Sequence, residues 1–169
     1  MGARSRNLGE GLENLLNIYH NALRDEGFFI HKNPTATILR NGRWIPMPAL
    51  PDYVAAAPPN GTMISFDAKF RSKPVWRQGT DQRHQAQYLR DIWQAGGVGF
   101  FLFMIDWDRG YLAWPQSYWS RDESFTLDLE SAPPEIAIPV PAWAGAHGTY
   151  IPDWREAIGE TLNERRRRE

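Results

Sequence analysis

The feature that most constrains the fold is the almost unbroken apolar run from Val98 to Ile105. A strand with one solvent-exposed face alternates apolar and polar residues, whereas a run of this kind predicts a strand that is buried on both faces. Such a strand lies at the centre of a sheet. The chain has 169 residues, of which 42% are hydrophobic, and this predicts one domain with a substantial core.

The first helix is predicted from about residue 8 to residue 26. Its apolar stripe is followed by Gly27, a common helix terminator, and consists of Leu12, Leu15, Leu16, Tyr19 and Leu23. Glu13 and His20 lie along the edge of this stripe. The preceding residues 1 to 7, with Arg4 and Arg6, are predicted to form a loose basic arm.

Strands and hairpins are predicted next. Residues 28–32 form a strand, and residues 36–45 form a hairpin that turns at Asn41-Gly42. The prolines in residues 47–51 favour a connector, after which residues 52–55 are expected to pair with residues 63–70 across the turn at 58–61.

Residues 71–79, with Arg71, Lys73, Trp76 and Arg77, are predicted to form a basic loop. The second helix is predicted from a cap at Thr80 or Asp81 to Gln94, before Gly96-Gly97. A return strand follows at residues 111–114. Residues 115–152 show no strong periodicity and are expected to form an extended wrap. A closing helix begins at the Asp153 and Glu156 capping pattern, and its predicted apolar face comprises Trp154, Ala157, Ile158, Thr161 and Leu162.

Two charged side chains in residues 63–70 suggest chemistry. As a strand, this segment turns Phe66, Ala68 and Phe70 to one face and Ser65, Asp67 and Lys69 to the other. Asp67 offers oxygen ligands to a hard cation, and the Lys69 ammonium beside it can neutralise phosphate charge. The same pair also occurs on the outer face of an ordinary amphipathic strand, so the pattern alone leaves both interpretations open.

Three further polar residues are candidates for the same site. In the predicted hairpin Asp52 faces Asp67, and their charges would repel unless a cation lies between them; Asp52 could instead cap a turn. Gln85 falls on the inward stripe of the second helix, where its amide needs either a metal-site partner or a backbone carbonyl. Glu13 either reaches this site or lies in solvent at the boundary of its helix.

Composition excludes several classes of site. The chain has no cysteine and its four histidines lack zinc-ligand spacing, so any metal would be held mainly by oxygen. Absence of an apolar run long enough to span a bilayer and of a secretory leader pattern predicts a cytoplasmic protein without a membrane segment.

Charge is divided unevenly along the chain. Residues 1–90 hold 12 Lys/Arg against 7 Asp/Glu, and residues 91–169 hold 7 against 13. The basic half contains Asp67 and Lys69, which suggests a polyanionic partner such as DNA, although solvated faces of mixed charge are a common alternative. The predicted DNA-binding residues are Arg4, Arg6, Lys32, Arg40, Arg43, Arg71, Lys73 and Arg77.

Several short segments together resemble the RecU-type Holliday junction resolvases of the PD-(D/E)xK nuclease superfamily. The segments occur in the same order and at similar spacing over residues 8 to about 115. They are Gly11-Leu12-Glu13, Ile30-His31-Lys32-Asn33-Pro34-Thr35, Asp52-Tyr53, Ile64-Ser65-Phe66-Asp67-Ala68-Lys69, His84-Gln85 and Gly96-Gly97.

The resemblance implies an α/β fold with a restriction-endonuclease-like core, in which helices flank a mixed central β-sheet. It implies a nuclease core over residues 1–115, with a short stalk at residues 39–51, and a C-terminal wrap and closing helix over residues 116–169 of the same domain. The implied protein is a phage or bacterial homodimer that binds branched DNA and resolves four-way junctions by paired nicks with Mg²⁺, or Mn²⁺ in its place, leaving 5′-phosphates.

The resemblance also assigns roles to five residues. Asp52, Asp67 and Gln85 correspond to the metal site, Lys69 to the transition-state stabiliser, and Glu13 to the acid beside them. The sequence departs from the family at Asp67, where glutamate is usual, at Leu50, where the family has threonine, and in the short stalk. A less selective DNA endonuclease and a non-catalytic DNA-binding relative are therefore the alternatives.

Overall fold

The computed structural model describes residues 3–34, 37–40, 42–46, 50–79, 82–118 and 125–166. The helices in these ranges are α1 (Ala3–Asp25), α2 (Arg83–Gln94), α3 (Pro115–Tyr118), α4 (Trp154–Ala157) and α5 (Gly159–Arg166). The strands are β1 (Phe29–Lys32), β2 (Thr37–Arg40), β3 (Arg43–Pro46), β4 (Tyr53–Ala57), β5 (Thr62–Arg71), β6 (Val75–Gln78), β7 (Val98–Ile105), β8 (Arg109–Ala113), β9 (Phe125–Asp128) and β10 (Ala137–Val140).

The central sheet has six strands in the order β1-β4-β5-β7-β8-β10. Strands β5 and β7 are parallel, with α2 in the connection between them, and the other neighbours are antiparallel. Helices flank this mixed sheet, which confirms the predicted α/β class. Strands β2 and β3 form the predicted hairpin as a separate two-stranded sheet.

Strand β7 is the centre of the fold, as its sequence predicts. Every one of its residues is buried, and its side chains alternate between two cores. Phe100, Leu102 and Met104 pack with α1 and the C-terminal helices. Phe101, Phe103 and Ile105 pack with α2 and with the small β6-β9 sheet. Both faces of the strand are therefore covered by apolar side chains.

Helix α1 begins earlier than the sequence analysis predicts. The backbone is helical from Ala3, so the prediction of a loose arm is wrong for residues 3–7, and Arg4 and Arg6 lie on the first turns of the helix. These residues contain no glycine or proline, and arginine has a high helix propensity. His20, at the edge of the predicted stripe, is fully buried. Among the described residues, no helix has the length and apolar character needed to cross a bilayer.

The segment after β5 differs from the predicted basic loop. Strand β5 continues to Arg71, and residues 75–78 form β6, which pairs with β9. Trp76 is buried in the second core against Phe101 and Phe103, at ring-centroid distances of 4.9 and 5.1 Å. Its burial makes this segment part of the core. The predicted caps Thr80 and Asp81 lie outside the described residues, and Gln82 is the residue at the N-cap of α2.

The C-terminal segment is integrated into the fold. Its strand β10 pairs with β8 at the edge of the central sheet. Asp153 accepts a hydrogen bond from the Glu156 backbone N–H, as the capping pattern predicts. The predicted single closing helix is instead two helices, α4 and α5, on either side of Ile158. Trp154, Ile158 and Leu162 are the buried members of the predicted apolar face.

Gly99 allows α2 to lie unusually close to β7. A Cβ atom at this position would overlap the carbonyl oxygen of Leu89. Leu89 is one helical turn beyond Gln85, so the close contact holds Gln85 over the neighbouring strand β5.

Gly99→Ala should therefore destabilise the protein, by about 1 to 3 kcal/mol, because the added methyl group forces α2 away from the sheet. Thermal and urea unfolding measure the change. Gly9→Ala is the matched control, since Gly9 lies in α1 with no atom near an added Cβ. This control should stabilise the protein by about 0.5 to 1 kcal/mol. Equal stability of the two variants would contradict the close contact.

His20 is a buried neutral base between α1 and the sheet. Its Nε2 accepts a hydrogen bond of 3.2 Å from the Trp154 indole, and its ring lies edge-on to Tyr53 at 4.9 Å. Burial, together with the smaller effect of the nearby Arg24 charge, lowers the pKa of His20 to about 3. Because the pKa is about 6.5 in an unfolded chain, the unfolded state takes up the proton first.

The stability that neutral His20 contributes is present above pH 6.5 and should be lost as the pH falls toward 3. The loss should reach about 2 kcal/mol between pH 7 and pH 5, because each pH unit contributes up to about 1.4 kcal/mol. His20→Gln keeps an acceptor for Trp154 but does not titrate. The free energy of unfolding of the parent minus that of the variant should decrease over this range. His31→Gln, which removes an exposed histidine of β1, is the control.

Candidate active site

The candidate site lies at the beginning of β4, where the pairing between β4 and β5 stops. Tyr53, the first residue of β4, is paired with Phe66. Strand β5 continues to Arg71 with β7 on one side only. Among the described residues, no strand pairs with the other edge of residues 67–71. We call this segment of β5 the open edge.

Asp52 lies beside the beginning of the open edge. Its Oδ2 accepts a hydrogen bond of 2.9 Å from the backbone N–H of Ala68. Asn33 holds the preceding chain in place: its backbone N–H donates to the Asp52 carbonyl at 2.7 Å, and its side-chain amide donates to the Pro51 carbonyl at 2.7 Å. The position of Asp52 is therefore set by main-chain contacts on both sides.

Asp67, Lys69 and Gln85 form one network on the α2 face of the sheet. The Gln85 amide nitrogen donates to Asp67 Oδ1 at 2.6 Å. Lys69 Nζ donates to Gln85 Oε1 at 3.2 Å and forms an ion pair with Asp67 Oδ2. The partners of the buried Gln85 amide are thus side chains of the candidate site and not a backbone carbonyl of the core.

Neither aspartate is favoured in its charged form. The Asp52 carboxylate accepts from the backbone N–H of Ala68, the residue that follows Asp67, so the two side chains are neighbours. Burial raises the pKa of Asp67 to about 7, with Lys69 acting to lower it and Asp52 to raise it. Burial likewise raises the pKa of Asp52, against the opposing effect of Lys69. Two neighbouring carboxylates that are removed from water in this way favour a proton or a cation between them.

Glu13 reaches the same region from α1. It forms an ion pair with Lys32 of β1, and its charge contributes to the raised pKa of Asp52. The Glu13 side chain is half-exposed, with 39% of its surface accessible. Asp52, Asp67, Lys69 and Gln85 therefore lie together, although they come from β5, α2 and the segment before β4. Glu13 of α1 acts on Asp52 through its charge.

The oxygen atoms of this cluster suit a hard divalent cation. Asp52 and Asp67 offer carboxylate oxygens, and Gln85 offers an amide oxygen, which is the ligand chemistry of Mg²⁺ and Mn²⁺. Within the described residues, no group of three or more His, Cys, Asp or Glu side chains is close enough to hold a metal. A metal at this place would therefore depend on two carboxylates with the amide and water.

The predicted DNA-binding residues are dispersed. Arg71 is half-buried on the open edge, and Lys73 and Arg77 follow it as exposed side chains. Lys32 is paired with Glu13, and Arg43 is exposed on the β2-β3 hairpin. The side chains of Arg4, Arg6 and Arg40 lie outside the described part of the structure.

Asn33 is a positioning residue that was not predicted from the sequence. It lies in the segment from Ile30 to Thr35, and its two hydrogen bonds orient the chain before Asp52. An asparagine directly before a proline is a typical turn signal, and this pattern could have identified it.

Comparison with solved structures finds likeness at low sequence identity. The chain is similar to the Holliday junction resolvase Hjc of the archaeal hyperthermophile Archaeoglobus fulgidus, with 18% sequence identity and a TM-score of 0.47. The likeness covers 70% of this chain and 88% of that chain. No protein-family model matches the chain, and no curated protein matches it.

Proposed function

We propose that the protein is a metal-dependent DNA endonuclease with a restriction-endonuclease-like core, and that it nicks four-way DNA junctions. The observation that carries the proposal is the network of Asp52, Asp67, Lys69 and Gln85 at the open edge of β5. It combines hard oxygen ligands with an ammonium group at an accessible strand edge. The segments that resemble the RecU-type resolvases contain these same four residues.

Asp52 and Asp67 would hold Mg²⁺, with the Gln85 amide as a further ligand. The cation would stabilise charge on the phosphoryl group and lower the pKa of the attacking water. The raised pKa values of the two aspartates fit this role. Burial disfavours the charged form of both carboxyl groups, and the positive charge of a bound cation would favour it.

Lys69 supplies positive charge to the reacting phosphate. The attacking water forms a new P–O bond, the bond from phosphorus to the 3′ oxygen breaks, and that oxygen takes up a proton. The products are a 5′-phosphate and a 3′-hydroxyl. Charge grows on the phosphate oxygens as this happens, and a preorganised ammonium in a partly buried place stabilises it without having to move. The contacts of Lys69 with Asp67 and Gln85 provide that preorganisation.

Gln85 and Glu13 keep the charged groups in place. The Gln85 amide contacts both Asp67 and Lys69, so it fixes their relative position in addition to any ligand role. Glu13 holds Lys32 at the margin of the site. Partners of this kind typically change metal affinity or activity by about 10- to 100-fold when removed.

Selectivity for branched DNA is the finer part of the proposal. Resolution by paired nicks requires two sites, so we propose a homodimer in which each subunit cuts one strand. The short β2-β3 hairpin corresponds to the stalk of the resembled family, and its two four-residue strands give little surface for a junction centre. A less selective endonuclease is therefore the second candidate.

The cleavage assay compares a synthetic four-way junction with plain duplex and single-stranded DNA in Mg²⁺. The parent protein should nick the junction fastest and leave ends that a ligase reseals. Lys69→Ala and Asp67→Asn should each reduce the single-turnover rate by at least about 100-fold, because each removes a group that acts on the transition state. DNA binding, measured by fluorescence anisotropy, should persist in both variants.

Lys73→Ala is the matched control for Lys69→Ala, since it removes an exposed lysine four residues further along the chain. It should weaken binding and reduce its salt dependence while leaving the rate at saturating protein unchanged. Equal cutting of duplex and junction would replace the resolvase proposal with the less selective endonuclease. DNA binding without nicking in any divalent metal would identify a non-catalytic relative.

Metal binding is testable without DNA. Mg²⁺ or Mn²⁺ should raise the melting temperature of the parent after EDTA treatment, because a ligand of the folded state stabilises it by mass action. A gain of 1 kcal/mol corresponds to about 2 to 4 °C for a chain of this size. Asp52→Asn and Asp67→Asn should lose this shift. Asp25→Asn, which removes an exposed carboxyl at the end of α1, should retain it. A shift that survives in both site variants would place the metal elsewhere.

A further inference from the structure

The turn between β7 and β8 has an unusual backbone. Asp106 and Trp107 both have positive φ angles, of 46° and 67°. This left-handed region is common for glycine and tolerated by aspartate, but it is unfavourable for a bulky side chain such as tryptophan. Strained residues of this kind persist where the surrounding structure holds them, and they are concentrated at functional sites.

Three contacts hold this turn against the rest of the fold. The Asp106 backbone N–H donates to the Arg71 carbonyl at 2.9 Å. The Trp107 ring packs on Phe70, with ring centroids 4.5 Å apart. Its Cη2 atom also occupies space beside Gly11 of α1, at 2.6 Å from where a Cβ would lie. The indole is therefore fixed by β5 and α1 together.

These contacts place Trp107 next to the candidate active site. Phe70 follows Lys69 on the open edge, and Gly11 lies two residues before Glu13. Asp67, Lys69 and Arg71 project to the α2 face of β5, whereas Phe70 projects to the α1 face with the indole against it. A DNA strand that reaches the open edge would thus have cations on one side and an aromatic ring on the other.

Packing alone does not account for this residue. Trp107 remains 36% exposed, so part of this large residue gains nothing from burial. A glycine or asparagine would form the same turn without the backbone strain. The arrangement instead holds a partly exposed aromatic residue at a fixed place beside the site.

We propose that Trp107 stacks on a nucleobase next to the cut phosphate and is a specificity residue of the endonuclease. This inference rests on the proposed function. Stacking on an aromatic ring needs a base that has left its own stack, and branched DNA provides such bases where its arms meet, whereas plain duplex does not. Trp107 thereby gives the enzyme a preference for branched DNA. The short β2-β3 hairpin is then not needed for this preference.

The test measures binding of the synthetic four-way junction and of plain duplex in Ca²⁺ by fluorescence anisotropy. Trp107→Asn removes the ring but suits the left-handed backbone, and Trp107→Phe keeps an aromatic face. The asparagine variant should bind the junction about 10-fold more weakly, because stacking on a side chain contributes that order of affinity for each base. Its duplex affinity should stay within about twofold of the parent, since a paired base offers no free face.

Trp107→Phe should retain most of the junction affinity. The matched control is Phe29→Ala, which removes an exposed aromatic side chain. Phe29 pairs with Ala56 at the end of β1 that is remote from Lys32 and the candidate site. This variant should bind both DNAs like the parent. Junction affinity that is unchanged in Trp107→Asn, together with a lower melting temperature, would overturn the inference and leave Trp107 as a packing partner of Gly11.

A second measurement uses the parent chain, so it is decisive even if Trp107→Asn fails to fold. Junctions that carry 5-iodouracil at either nucleotide flanking the cut are irradiated in the complex, and the crosslinked peptide is identified by mass spectrometry. A crosslink at Trp107 supports the inference, and crosslinks only at other residues overturn it. A parent protein that neither binds nor cuts DNA would overturn the proposed function itself, which is distinguishable from a parent that cuts DNA without contact from Trp107.

Discussion

Two neighbouring carboxylates, the buried Asp67 and the half-buried Asp52, are the interaction on which the candidate site depends. Each is costly to ionise in this place, and the cost appears as raised pKa values for both groups. One ammonium, from Lys69, is available in the network to offset it. Such a cluster is unfavourable as a purely structural device, since apolar residues of similar size would fill the space at less cost. A protein gains from keeping this carboxylate cluster only if its charged groups take part in binding or catalysis.

The fold provides this cluster by ending one strand before its neighbour. Strand β4 supplies Asp52 from the residue before its first pair, and β5 continues beyond it. The open edge gains support from the other side, because β7 pairs along its whole length and is buried on both faces. A preorganised site needs an edge that a ligand can reach and a rigid support behind it. The open edge of β5 provides the first, and its pairing with β7 provides the second.

The C-terminal segment stabilises the helix that brings Glu13 to the site. The Tyr19 hydroxyl donates to Asp153, and the Trp154 indole donates to His20, so both contacts join α1 to the beginning of α4. Asp153 also caps α4, which orders the place where Tyr19 binds. The start of the predicted closing helix is thus a structural partner of α1, through polar contacts between buried side chains.

Local patterns determined much of this protein. The apolar run of β7, the stripe of α1 and the glycine of the β2-β3 turn each predicted their element, because burial and positive φ angles leave a signature in neighbouring residues. Alternation along β5 placed Asp67 and Lys69 on one face, and the facing position of Asp52 followed from the hairpin. The resemblance to a nuclease family then proposed one site for all five residues.

Only the tertiary structure decided how distant segments meet. It made β6 a core strand through Trp76 and its pairing with β9, and it added β10 to the central sheet, because those strands bury their side chains against partners far away in the chain. It fixed Trp107 against Gly11 and Phe70, and it gave Gln85 two charged partners. Periodicity reports which side of an element is buried, but not which element covers it, since that choice depends on contacts between residues remote in sequence.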